Sequence, residues 1–266
     1  MGSAESPLEP VVRKLEDHEE FPDTEHDAFL QLDYVVRRVA AGASLFREDE
    51  KVSHCVGLLS GFACRYRTLK SGARQIVAVH FPGDLMNLQG GLVGSCALNG
   101  QMLTSGTVAL IAAADLRCLS FERPAIQKAI WRQALIDFSI CSEWMANVGR
   151  RDACARIAHL ICEFAMRLRA IGREKMTFDL PLTQEQIADA TGLTAVHVNR
   201  TLQRLRRAGL IQRDGRTIEI ADWQGLASVA EFDSGYLDPA AHARVREMER
   251  GKPRLTMANQ DNRYLN

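Results

Sequence analysis

Apolar residues recur at two different periods along the chain, and the period changes near position 122. From Tyr34 to Phe121, short apolar runs alternate with turns that contain glycine, such as Ser60-Gly61. This pattern is typical of many short strands, so it predicts a β-roll or jelly roll. The runs expected to form strands cover residues 52–59, 63–68, 75–81, 102–111 and 117–121.

A long helix is predicted over residues 122–149, because apolar residues there lie three or four positions apart. Such a stripe could face a domain core or form a coiled-coil seam. A lone helix between two domains has little else to bury against, so we favour a homodimer. The predicted dimer stripe consists of Ile126, Ile130, Ala134, Phe138, Cys141, Met145 and Val148.

The flanking segments complete the predicted domain organisation. Residues 1–24 are expected to form a loosely held acidic leader, and residues 25–121 the roll. The segment from Gly149 to Asp152 interrupts the long helix and predicts a hinge, because Asp152 can cap a new helix. Residues 150–222 are assigned to a DNA-binding domain, and residues 223–266 to a short C-terminal helix followed by a mobile tail.

The most specific pattern lies between Leu182 and Arg207 and predicts a helix-turn-helix. Thr183 can cap a first helix, with Gln186 at the capping-box position. Gly192 gives the backbone freedom for a sharp turn, and Thr194 can cap a second helix. DNA binding is favoured over a surface helix with solvated arginines, because the mechanism requires all these features together.

The second helix is expected to read base edges with its first turns. Arg200 can donate two hydrogen bonds to a guanine, and the arginines that follow can bind phosphates. Asp214-Gly215 is typical of a hairpin turn, which predicts the wing of a winged helix. The residues predicted to contact DNA are Thr183, Gln184, Thr194, Ala195, Val196, His197, Asn199, Arg200, Arg204, Arg213 and Arg216.

Charge is distributed unevenly although the totals balance at 33 basic and 33 acidic residues. Residues 150–216 contain thirteen Lys or Arg and seven Asp or Glu, a net charge of +6, whereas residues 1–32 contain two and nine. This asymmetry is expected of a nucleic-acid binder. No apolar run approaches the ~18 residues of a membrane span, and the N-terminus does not resemble a signal peptide. We therefore expect a cytoplasmic protein that does not bind a membrane.

The order of roll, long helix, hinge and winged helix resembles the Crp/Fnr superfamily of bacterial transcription regulators. The resemblance covers about residues 32–236. It implies an α+β fold with a cyclic-nucleotide-binding-like roll, and a homodimer that binds an inverted-repeat operator in double-stranded DNA and contacts RNA polymerase. The resemblance rests on the motifs Gly61-x-x-x-Arg65-Tyr66, Gly72-x-Arg74-Gln75-Ile76 and Phe81-Pro82-Gly83-Asp84, and on residues 182–220.

Departures from the family pattern bear on the ligand and the operator. Cyclic-nucleotide binders of the family use an arginine of the roll for the phosphate, but no Arg or Lys lies between Gln75 and Leu116. A buried phosphate without a cationic partner is poorly compensated, so neither cyclic AMP nor another cofactor is predicted. The iron–sulfur branch uses N-terminal cysteines, whereas the first cysteine here is Cys55. Arg200 matches the family's guanine-reading arginine, but Val196 stands where many members have glutamate.

Two other functions compete with DNA binding as readings of this sequence. A regulator that senses metal, haem or redox state is the alternative, although its candidate ligands show no metal-ligand spacing and no metal is predicted. Catalysis is not predicted, because the chain has no nucleophile elbow, phosphate loop or zinc-ligand spacing. Asp84 and His80 could form an acid–base pair, but a surface turn is expected there. The candidate sensor ligands are His54, Cys55, Cys64, His80 and Cys96.

Overall fold

The computed structural model describes residues 6–17, 19, 21–171 and 176–238. Its N-terminal half is a roll of two antiparallel sheets, which confirms the predicted α+β fold class. The strands are β1 (Tyr34–Val39), β2 (Ser44–Phe46), β3 (His54–Ser60), β4 (Ala63–Thr68), β5 (Arg74–His80), β6 (Asn99–Met102) and β7 (Gly106–Ala112). One sheet has the strand order β1-β7-β3 and the other β2-β6-β4-β5.

Apolar side chains fill the space between the two sheets of the roll. Leu58, Met86 and Met102 are fully buried there, in one cluster with Phe46. Gly100 allows this packing, because a Cβ atom there would lie 2.4 Å from the Phe46 ring and would force the ring to move. The interior of the roll is therefore packed by side chains, as in other small barrels.

The strand predicted over residues 117–121 is wrong, because these residues belong to helix α4 (Ala113–Glu122). A run of five residues is too short for its period to distinguish a strand from a helix. The structure buries Ala113, Leu116 and Ser120, which are three and four positions apart, as in a helix packed on one face. A shorter helix, α3 (Leu88–Val93), precedes β6.

The acidic leader contains a docked helix, contrary to the expectation of a loosely held segment. Helix α1 (Glu9–Glu16) buries Val11, Val12 and Leu15, and Leu8 before it is also buried. These positions follow the i, i+3, i+4, i+7 pattern, so the signal for a packed helix was present among the acidic residues. Helix α2 (Asp23–Leu30) follows and packs against α1.

The long helix, α5 (Pro124–Arg150), has two opposite apolar faces. The inner face packs inside the protomer against α1, α4 and β5, so the expectation that this helix has little to bury against is wrong. Two residues of the predicted dimer stripe, Ile126 and Ile130, belong to this inner face and are buried. The inner face consists of Ile126, Ala129, Ile130, Gln133, Ile136, Ile140, Trp144 and Asn147.

The opposite face of α5 carries exposed apolar residues, which we call the outer stripe. Trp131, Leu135, Phe138 and Met145 are 64%, 65%, 71% and 71% exposed. Ala134 and Cys141 beside them are also exposed, and Val148 is half-buried. The predicted stripe mixed the two faces, because it advanced mostly in steps of four and drifted around a helix of 3.6 residues per turn.

The predicted hinge coincides with a break in the backbone. Arg151 is extended, and helix α6 (Ala153–Ala170) begins directly after Asp152, whose side chain accepts a hydrogen bond of 2.9 Å from the Ala155 amide. The domain that follows contains β8 (Thr177–Asp179), α7 (Gln184–Thr191), α8 (Ala195–Arg207), β9 (Ile211–Asp214), β10 (Thr217–Ile220) and α9 (Trp223–Ala230). Its small sheet has the strand order β8-β10-β9, and β9 and β10 form the predicted wing.

The segment after the wing docks on the hinge. Helix α9 packs on α6, and the short 3-10 helix Ser234–Tyr236 places the Tyr236 ring parallel to the fully buried His159 ring, with centroids 5.7 Å apart. The predicted tail at positions 239–266 lies outside the described residues. Among the described residues, no helix combines the length and apolar composition needed to cross a membrane.

The buried His159 leads to a prediction about pH. Burial and the nearby Arg151 lower the pKa of His159 to about 4, although Glu143 opposes this shift. Between pH 6.5 and about pH 4, the unfolded chain therefore binds a proton at this position that the folded chain does not. The free energy of unfolding should fall as the pH falls through this window, by up to about 1.4 kcal/mol per pH unit.

Denaturant titrations at several pH values measure this contribution. The slope of stability against pH should be shallower for His159→Phe, which keeps a ring against Tyr236, than for the unaltered protein. His54→Phe is the matched control, because His54 is exposed at the start of β3. An unchanged slope in His159→Phe would contradict the prediction.

Candidate nucleic-acid interface

The helix-turn-helix is built by the caps that the sequence predicts. Thr183 and Gln186 form a complete capping box, with hydrogen bonds of 3.2 Å and 2.9 Å. Gly192 adopts a left-handed conformation (φ 66°) at the end of α7, and Thr194 accepts a hydrogen bond from the His197 amide. These contacts fix where each helix begins, so they fix which side of α8 faces outward.

One face of α8 is buried and the other is free. Val198, Thr201, Leu202 and Leu205 pack into the domain core. On the opposite side Val196 is 72% exposed. Also exposed on α8 are His197, Asn199, Arg200, Arg204, Arg206 and Arg207, whereas Ala195 is half-buried. A largely polar helix with this basic outer face has the composition of a surface that binds a polyanion.

The outer face of α8 divides along its length into two parts. Its first turns carry Val196, Asn199 and Arg200, and its last turn carries Arg204, Arg206 and Arg207. The Asn199 amide donates a hydrogen bond of 3.3 Å to Gln184 Oε1. No ion pair or hydrogen bond within the described residues involves the Arg200 guanidinium, which leaves its donors available for a base edge.

The predicted phosphate contacts of the wing have internal partners. Arg213 Nε donates 2.9 Å to the carbonyl of Gly215 at the tip, and Arg216 Nη2 donates 3.2 Å to the carbonyl of Pro181. Arg213 therefore stiffens the tip of the wing, and Arg216 ties the wing to the segment before the helix-turn-helix. Arg216 is nevertheless exposed, and Arg213 is half-buried. This bracing role has no signal in the sequence, because it depends on the folded hairpin.

The helix-turn-helix contacts the roll through its first helix, α7. Gln75 Nε2 of β5 donates 3.3 Å to the carbonyl of Ala190, and Arg74 Nε lies 3.7 Å from Asp189 Oδ2. Behind α7, Arg156 Nη1 of α6 donates 3.0 Å to the carbonyl of Thr191. These contacts use the first helix of the motif, so α8 points away from the roll.

The Asp84 carboxylate joins the roll to both neighbouring helices and is 2% exposed, so the expected surface turn is wrong. It is bound by Lys14 of α1, by Arg167 Nη2 of α6 at 3.2 Å and by the Phe81 amide at 2.9 Å. His80 Nδ1 lies 3.2 Å away. Burial alone would raise the pKa of Asp84, but Lys14, His80 and Arg167 together hold this pKa well below its usual range. An ionised carboxylate that binds two cations is a structural link between domains.

The candidate sensor ligands do not converge on a metal site. Burial raises the pKa of Cys55 to about 12 and that of Cys64 to about 11, and it also raises that of Cys96. Thiols with raised pKa values are poor ligands and poor nucleophiles. His80 is buried against Asp84, whereas His54 is exposed. Within the described part of the chain, no group of three His, Cys, Asp or Glu side chains could hold a metal ion.

Comparison with known families assigns both halves of the chain. The model of the cyclic nucleotide-binding domain matches residues 36–131, and that of the Crp-like helix-turn-helix domain matches residues 155–229. The transcriptional activator protein FnrL of Cereibacter sphaeroides is 30% identical over 229 residues, which cover 80% of this chain and 87% of that relative. The nitrogen fixation regulation protein FixK of Bradyrhizobium diazoefficiens is 30% identical over 183 residues, which cover 68% and 76%.

Comparison with solved structures agrees on the fold. The structure of FixK2 from Bradyrhizobium japonicum has a TM-score of 0.67 at 24% identity, covering 74% of this chain and 98% of that one. The regulator TTHB099 from Thermus thermophilus has a TM-score of 0.60 at 21% identity. The sequence relatives are named as transcription regulators and not as enzymes, which fits the prediction that this chain is not an enzyme.

Proposed function

The chain belongs to the Crp/Fnr superfamily of DNA-binding transcription regulators, and from this premise we propose that it acts as a homodimer on a two-fold operator and contacts RNA polymerase. The exposed outer face of α8 is the observation that carries the proposal. It presents Arg200 and Val196 where a recognition helix touches base edges, with Arg204 further along toward the phosphates.

The residues of this face have distinct proposed roles. Arg200 donates two hydrogen bonds to a guanine, and Val196 contacts a thymine methyl group because it cannot accept a hydrogen bond from cytosine. Arg204 binds a phosphate and contributes affinity without sequence preference. Thr183 and Thr194 have hydroxyls engaged in caps, so their contribution is to position the two helices. His197, Gln184 and the wing arginines lie toward the backbone of the duplex.

Replacing Arg200 with alanine is expected to weaken operator binding by about 1–3 kcal/mol, which is roughly a 5- to 150-fold loss at fixed salt. The reason is the loss of a two-pronged contact to one base, so sequence preference at that base pair should relax as well. The measurement is fluorescence anisotropy with an operator selected in vitro by this protein, and with variants of it at each position.

Arg204→Ala is the matched control on the same helix. It should weaken binding about equally on all sequences and reduce the slope of log affinity against log salt by about 1, because it removes a phosphate contact. Operator affinity that is unchanged in Arg200→Ala would refute the proposed docking of α8. A uniform loss in both variants would refute base reading by Arg200 while leaving DNA binding intact.

The proposed homodimer is supported by the outer stripe of α5. A two-fold dimer through this stripe would bury Trp131, Leu135 and Phe138, which the protomer leaves exposed. Two recognition helices must lie about 34 Å apart to enter successive major grooves, and a shared pair of α5 helices can set that distance. Contact with RNA polymerase is proposed by analogy with the relatives named as transcriptional activators.

We also propose that cyclic AMP is not the effector, because residues 75–116 supply no cation for its phosphate. Cyclic AMP added to the anisotropy titration should therefore leave operator affinity unchanged. The redox and metal alternative is not favoured, since the thiols of Cys55, Cys64 and Cys96 are held protonated by burial.

A further inference from the structure

A cleft of about 1110 Å³ separates the sensor side of the molecule from the DNA-binding side. Helices α1 and α5 and the roll line one side, and α6 and the segment after α9 line the other. None of its lining residues belongs to the apolar cluster that fills the roll. The cleft is therefore distinct from the interior of the roll, where side chains already occupy the space.

The walls of the cleft combine apolar side chains with seven charged residues. Ile136 and Ile140 of α5 line the cleft together with Met166 of α6, Ile171 directly after α6 and Leu59 of the roll. A concave surface on which apolar side chains surround convergent polar groups is the usual form of a site for a small organic molecule. Its volume is enough for a ligand of drug size.

Cationic donors lie at the deep end of the cleft. Lys14 has three N–H donors, and within the described residues its one partner is Asp84. Arg167 uses Nη1 on the Val79 carbonyl and Nη2 on Asp84, and its Nη1 also lies 3.5 Å from Glu163. Glu163 is itself bound by other donors, because its Oε2 accepts hydrogen bonds of 2.8 Å from Trp144 Nε1 and from the Tyr236 hydroxyl. Lys14 and Arg167 therefore share the Asp84 carboxylate, and the unused donors of Lys14 point to an anionic acceptor.

The other acidic residues of the cleft are Glu9, Asp17 and Asp238, of which Asp238 is half-buried. Asp17 is exposed, and Glu9 is already paired with Arg13 at 2.8 Å and lies 3.5 Å from His26. Asp84, by contrast, is 2% exposed and lies between the two cations. Lys14 and Arg167 have side chains that are 20% and 13% exposed, so they lie in the enclosed part of the site, where a charge-assisted hydrogen bond is strongest.

We propose that this cleft binds an amphipathic organic anion, with its carboxylate or phosphate group at Lys14 and Arg167 and its apolar body between Ile136, Ile140 and Met166. Such a ligand would contact α5 and α6 at the same time, and these two helices lie on opposite sides of the hinge at Arg151 and Asp152. Occupancy would therefore favour one angle between these helices. The further step, that this angle controls operator affinity, rests on the proposed function. Binding of the ligand in the cleft does not depend on the proposed function.

Isothermal titration of the full-length protein tests the site, with decanoate, decyl phosphate and decanol as probes. Decanoate or decyl phosphate should bind once per chain, and decanol at least about tenfold more weakly, because it lacks the charge. Lys14→Met should weaken binding of the anionic probe by about tenfold or more. Met166→Trp should also weaken binding, because its larger ring occupies the place of the apolar body of the probe. Lys128→Met, on the exposed surface of α5, should change nothing.

Three outcomes would overturn the proposal: equal affinities for decanoate and decanol on the unaltered protein, affinities that neither cleft variant changes, or no binding by any probe. The comparison of decanoate with decanol uses the unaltered protein, so it remains decisive if Lys14→Met does not fold. A photo-crosslinking residue at position 166 that captures residues 239–266 without any probe would also overturn it, since the chain itself would then fill the cleft. Operator binding by Lys14→Met is also measured without any probe. A variant that binds its operator but has lost the probe tests the cleft and leaves the proposed function untouched.

Discussion

Replacing Phe138 with glutamate is expected to convert the protein into a monomer with little remaining affinity for its operator. Phe138 lies in the middle of the outer stripe and is 71% exposed in the protomer. In a two-fold dimer each substitution counts twice, so two phenyl rings are lost and two carboxylates are brought into an apolar seam. The lost burial alone is about 4 kcal/mol, which raises the dimer dissociation constant by about three orders of magnitude.

Sedimentation velocity at micromolar concentration measures the state of association, and anisotropy measures operator binding. Leu69→Glu is the matched control, because Leu69 is also an exposed apolar residue but lies in the turn between β4 and β5. It should remain dimeric. Protomer stability should be unchanged in both variants, since neither side chain is in the core. A Phe138→Glu protein that stays dimeric would show that the outer stripe is not the dimer interface.

Removing the Asp84 carboxylate should destabilise the protein by about 3–5 kcal/mol. Asp84→Ala leaves Lys14 and Arg167 near each other without their shared anion, and leaves the Phe81 amide without its acceptor. Asp84→Asn keeps an acceptor but loses the charge, so its effect should be intermediate. Denaturant unfolding followed by circular dichroism measures both.

The pH dependence identifies the charge as the cause. Because the pKa of Asp84 is well below its ordinary value of 3.8, its contribution is complete above that pH and is lost as the pH falls through the folded-state value. The difference between the unaltered protein and Asp84→Ala should therefore shrink in acid. Asp137→Ala is the control, since the Arg65–Asp137 pair at 3.1 Å is partly exposed and should contribute no more than about 1 kcal/mol. A loss of similar size in both variants would contradict the role of Asp84.

Sequence determined the helix-turn-helix almost completely. Its caps, its glycine turn and its wing depend on contacts between residues a few positions apart, so Thr183, Gly192 and Thr194 specify the structure locally. The same holds for the cap of α6 by Asp152. Short-range hydrogen bonds and turn conformations are encoded where they occur, and they can therefore be inferred without a fold.

Tertiary structure decided everything that depends on which face a helix buries. Periodicity located α5 but could not separate Ile126 and Ile130, which pack inside the protomer, from Phe138 and Met145, which remain exposed. An apolar residue has the same tendency to leave water toward any apolar partner, because hydrophobic attraction has no direction. The docking of α1 and the burial of Asp84 were missed for a related reason. Charged residues leave the surface only where distant parts of the chain supply partners, and that proximity exists only in the folded protein.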